Sequence, residues 1–74
     1  CSPISIAELD LAAVLLARDQ PDAAALAIER ALARDEAPEI IADVALARPL
    51  FRALRDHGVW ATIAAVQRGR PLTR

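Results

Sequence analysis

The chain has no Met, no Tyr and no Lys, a single Cys, His, Phe and Trp, and only two glycines. Each shortage removes a class of function. One cysteine cannot form an internal disulfide, so no oxidising compartment is implied and the expected location is cytoplasmic. Cys1 and His57 lie far apart in sequence, and a Cys/His nucleophile needs spatial contact and a third, orienting group. No His, Cys or carboxylate cluster has metal-ligand spacing. Asp19, Asp22, Asp35, Glu36 and Glu39 gather near turns without the spacing or the glycine of a calcium loop, and read as solvated helix caps. With Gly58 and Gly69 as the only glycines, there is no phosphate-cradling loop. No uncharged stretch approaches the ~20 residues of a membrane span. We expect no enzyme, no cofactor, no metal and no small-molecule substrate.

What remains is alanine and aliphatic surface. Hydrophobic residues make up 55% of the 74 positions, and alanine is the commonest. Alanine is the strongest helix former but buries little area, so the chain reads as all-α with a thin core. Chains this short bury only about 60% of their unfolded surface, and many borrow core from a partner. The absence of Met and the start at Cys1 imply a chain processed, trimmed or cut from something longer. A mature bacterial lipoprotein would also begin with Cys and a small residue.

Helix punctuation divides the chain. Ser5 and Glu8 have capping-box spacing, and a first helix should run to about Arg18. Asp19-Gln-Pro-Asp22 ends it, because Gln20 precedes Pro21 and is pushed out of the helical region. A second helix starts with Asp22 as cap or Pro21 in its first turn, and ends near Asp35 to Pro38. A third starts at Pro38 or Glu39 and carries Ile40, Ile41, Val44 and Leu46 until Pro49 ends or kinks it. Leu50, Phe51 and Leu54 mark a fourth helix, with His57-Gly58 as its stop. Trp60, Ile63, Ala64 and Val66 mark a fifth, to Gly69. No segment alternates with period two, so no sheet is expected.

Charge is divided unevenly. Residues 1–47 hold nine acids and three Arg; residues 48–74 hold six Arg and one Asp. The basic part is expected to fold back on the acidic part, or else to support head-to-tail association or offer two faces to two different partners. An overall pI near 5.7 and a lone Trp argue against nucleic acid as partner, despite Arg68, Arg70 and Arg74.

Residues 5–38 resemble one tetratricopeptide repeat. Leu11 stands at the leucine of that pattern, Ala12 at its small residue and Leu15 at its Tyr. Ala24 and Ala31 fall on the two alanines of its second helix, with Ile28 at the Phe. Glu8 departs from the usual Trp, Asp19 from the turn Gly, and Pro38 comes two residues late. Pro49 to Val59 is similar to segments that close such arrays. The resemblance implies a hairpin over 5–38, a helical cap over 39–67 and a basic tail over 68–74. The whole is then one small bundle of four to five helices, with a binding or scaffold role in high-GC bacteria.

One hairpin cannot bury its own apolar face. Leu9, Leu11, Val14, Leu15 and Leu16 make the first helix apolar nearly all round, and such a helix must be covered on more than one side. The expected function is therefore non-enzymatic: docking a partner protein, or a second copy, through the Leu11–Leu16 and Trp60–Val66 faces. The candidate contact residues are Leu11, Leu15, Leu16, Phe51, Trp60 and Ile63, with Phe51 and Trp60 as aromatic anchors. Core packing is the competing role for both. The alternatives are a fragment of a helical transcription regulator whose DNA-binding part lies elsewhere, or a docking subunit of a biosynthetic or secretion complex.

Overall fold

A computed structural model of the chain describes residues 3–69. Every proline among those residues opens a helix. Pro3 starts α1 (Pro3–Ala17), Pro21 starts α2 (Pro21–Arg34), Pro38 starts α3 (Pro38–Ala47), and Pro49 starts a 3-10 helix (Pro49–Leu54). Proline lacks the N–H that a first helical turn leaves unpaired, and its φ is already helical. It also holds the preceding residue out of the helical region. Gln20 and Ala37 sit at nearly identical angles, φ −124 and ψ 68 against φ −127 and ψ 69, and neither helix has a side-chain cap. Helix α4 (Gly58–Gly69) completes a small all-α bundle, with no strand among the described residues. The expected basic tail lies outside those residues except for Arg68 and Gly69.

Two boundaries differ from the sequence expectation. Helix α1 begins before Ser5, so Ser5 is no cap; it is buried within the helix, and its Oγ has no hydrogen-bond partner. Glu8, its supposed capping partner, reaches instead to Arg30 of α2. His57-Gly58 does not stop a helix but starts one. The His57 Nδ1 accepts the Val59 N–H at 3.1 Å, and the His57 carbonyl accepts the Trp60 N–H at 3.0 Å. His57 is thus the N-cap of α4.

The turn between α1 and α2 shows why the chain can dispense with a turn glycine. Asp19 N–H bonds the Leu16 carbonyl at 3.0 Å, and Gln20 N–H bonds the Leu15 carbonyl at 2.9 Å. This is a Schellman closure, which requires a left-handed residue. Asp19 takes that role at φ 62, and it is the only residue with positive φ among those described. Asp tolerates this region better than most residues but is still strained there. Gly58, by contrast, has no positive φ, and a Cβ placed on it meets nothing within 4 Å. Glycine is thus missing where the backbone wants it and present where it is not needed. We expect Asp19→Gly and Gly58→Ala each to raise stability by about 0.5 kcal/mol. Thermal unfolding of the two variants checks this; a lowered melting temperature for Asp19→Gly would contradict the turn geometry.

Helix α2 lies antiparallel along α1, and α4 packs along α3. Contact between α2 and α3 joins the pairs, and the 3-10 helix touches α1, α3 and α4. The seams are built on alanine. Ala12 of α1, Ala24, Ala27 and Ala31 of α2, and Ala42 and Ala45 of α3 are all fully buried. Small side chains let the helix backbones approach closely, and Leu9, Ile28, Ile41, Phe51, Leu54 and Ile63 fill the remaining space. The segment after Pro49 is a 3-10 helix and not the expected α-helix. Residues three apart eclipse in that geometry. Phe51 and Leu54 therefore point the same way, and both are fully buried.

Candidate docking surface

Helix α1 is apolar on both sides, but the bundle uses only one. Ser5, Leu9 and Ala12 face inward and are buried. Ile6, Ala13, Leu15 and Leu16 are half-buried against the same core. On the far side, Ile4, Leu11 and Val14 are 63%, 42% and 53% exposed, with exposed Ala7 between them. Positions 4, 7, 11 and 14 are spaced three, four and three, so they form one stripe along the helix. That spacing is the a/d pattern of a heptad, the arrangement that seats a second helix.

Carboxylates border the stripe on both sides. At 100° per residue, Glu8 and Asp10 lie roughly 80° to either side of its mid-line. Each is held by arginine from another element. Arg30 Nε lies 3.1 Å and Arg34 Nη1 3.7 Å from Glu8 Oε2. On the other rim, Arg48 Nη1 lies 3.2 Å from Asp10 Oδ1. The Arg48 guanidinium also sits 5.8 Å from the centre of the Phe51 ring. Such surface pairs contribute only about 0–1 kcal/mol each. Their larger effect is on the face, which is left flanked by paired charges.

One of these bridges, Arg48 to Asp10, joins the basic part of the chain to the acidic part, and His57 Nε2 lies 2.8 Å from Asp22 Oδ1. Gln67 of α4 donates to Asp43 of α3. The His57–Asp22 pair is the nearest approach to an acid–base dyad. Its chemistry is structural: the Val59 N–H needs a lone pair on Nδ1, which places the ring proton on Nε2, facing Asp22. Among the described residues no three potential ligands gather to hold a metal ion, and no helix is long and apolar enough to cross a membrane.

The six candidate contact residues fall into three groups. Leu11 is exposed on the stripe. Leu15, Leu16 and Trp60 are half-buried, packed against the core with an edge outside. Phe51 and Ile63 are fully buried, so no partner reaches them while the bundle is closed. Their apolar character serves the core, and the Trp60–Val66 face is largely the underside of α4. The stripe's other members, Ile4, Ala7 and Val14, were not singled out as contacts, although their spacing with Leu11 is present in the sequence. Leu26, Ile40 and Leu50 are exposed as well, each on a different element.

Comparison with protein-family models finds no match, and comparison with curated proteins and with solved structures finds none either.

Proposed function

We propose that the chain is a non-enzymatic protein–protein interaction module that docks a helix on the outer face of α1. One observation carries this reading: a full heptad stripe, Ile4–Ala7–Leu11–Val14, takes no part in the core and stays exposed. Isolated exposed aliphatic residues are ordinary on protein surfaces; a continuous row at helix-pairing spacing is not. The likeness of residues 5–38 to a tetratricopeptide hairpin supports the same role, since units of that kind stack a helix face on a neighbour.

A photo-crosslinking residue placed at Leu11 tests the reading. It should capture a protein in cell extract, whereas the same residue at Glu29, exposed on α2, should not. Equal yields at the two positions would contradict a localised docking face.

A further inference from the structure

We propose that His57 is a proton-operated cap: the neutral imidazole holds the first turn of α4 closed, and protonation releases that turn while the ring stays on Asp22. Both ring nitrogens are engaged. Nδ1 accepts the Val59 N–H at 3.1 Å, and Nε2 lies 2.8 Å from Asp22 Oδ1. The first contact needs a lone pair on Nδ1 and the second a proton on Nε2, so the neutral ring satisfies both in one tautomer. The imidazolium cannot. With a proton on each nitrogen, Nδ1–H would face the Val59 N–H, donor against donor. The ring must then give up one of its two partners.

Charge decides which one. Asp22 is an acid in the first turn of α2, and His57 stands immediately before Gly58, where α4 begins. A helix N-terminus carries partial positive charge, which disfavours a cation and favours a carboxylate. Protonated His57 is therefore repelled from α4 and attracted to Asp22, where the hydrogen bond becomes charge-assisted. The other charges nearby leave this choice in place. Asp19, in the turn before α2, is exposed, as are Arg52 of the 3-10 helix and Arg55 and Asp56 on the ring's own segment. Arg48, at the end of α3, is held by Asp10, and Asp43 of α3 is held by Gln67 of α4. Among the described residues Asp22 is the one charged group bonded to the ring.

Release is confined to one turn. Val59 is buried, and an N–H that loses its acceptor there is costly unless the turn opens to water. Opening exposes more of the Trp60 indole, which is half-buried on that turn. The next turn of α4 keeps Ile63 in the core. Histidine changes charge between about pH 5 and about pH 8, so the cap responds to mild acid while the bundle stays folded.

Residue-resolved amide hydrogen exchange tests the cap, read as protection factors so that the pH dependence of the exchange chemistry is removed. Between about pH 7.5 and about pH 5 the Val59 protection factor should fall about fivefold, the loss of one cap. The fall should share its midpoint with the titration of the His57 ring protons, and Trp60 emission should move to longer wavelength with it. His57→Asn should show neither change, because an Asn side-chain oxygen accepts the same N–H at either pH. A nuclear Overhauser contact between the ring and Asp22 should persist at the lower pH. Val59 protection that is unchanged at the lower pH would overturn the proposal, as would an equal fall in His57→Asn. Loss of helical circular dichroism over the same range would replace a local release by general unfolding, and loss of the ring–Asp22 contact would overturn the retained bridge. Should His57→Asn fail to fold, the wild-type titration decides alone: a Val59 midpoint apart from that of the ring would overturn the cap.

Discussion

Phe51→Ala is expected to be among the most destabilising single changes in the domain. Phe51 is fully buried at the junction where the 3-10 helix meets α1, α3 and α4. Truncating such a ring costs about 3–5 kcal/mol. A domain of 74 residues has about 4–11 kcal/mol in total, so one side chain removes from about a quarter to all of the stability. The melting temperature should fall by at least about 12 °C. The neighbouring Leu50, 45% exposed, gives the contrast: Leu50→Ala should cost less than about 1 kcal/mol. Circular dichroism melts of the two variants check the pair. A Phe51→Ala protein that melts like wild type would mean that the ring is not part of the core.

Ala27→Leu is the second large effect. Ala27 lies on the α2 face with Ala24 and Ala31 one turn away on either side, and all three are fully buried. They share one buried cluster with Ala12 and Leu9 of α1, the helix against which α2 packs. A leucine there adds three carbons where the core leaves no room, so the packed neighbours must shift. We expect a loss near about 3 kcal/mol, at the upper end of overpacking effects. Ala33→Leu, on the exposed side of the same helix, should change stability by less than about 0.5 kcal/mol. Urea unfolding separates the two; equal midpoints would show that the helices are not closely packed along this seam.

Much of the fold is legible in the sequence because proline punctuates it. Pro21, Pro38 and Pro49 each bar the preceding residue from the helical region, and each helix start follows within one residue. The direction of His57-Gly58 was not legible. A His-Gly pair suits a helix end, but it can equally cap a helix start when the imidazole lone pair meets a free N–H. Only the position of α4 decides between these. Asp19 shows the reverse case: the left-handed turn residue is not the glycine that composition points to.

The docking face was legible only in outline. Helix α1 is apolar all round, so periodicity along it does not separate Leu9, which faces the core, from Leu11, which does not. That distinction comes from where α2 and the 3-10 helix lie. Phe51 and Ile63 were misplaced for the same reason. Aromatic and β-branched residues serve cores and interfaces alike, and burial depends on neighbours distant in sequence.

The central claim is that the outer face of α1 is dispensable for folding and necessary for association. A single protein, Ile4→Gln, Leu11→Gln and Val14→Gln together, tests both halves when photo-crosslinking from position 7 in cell extract and thermal unfolding are run on it beside wild type. The account predicts an unfolding temperature within a few degrees of wild type at low concentration, and loss of the cross-linked protein that wild type captures. A variant that unfolds, or one that associates as wild type does, would contradict it.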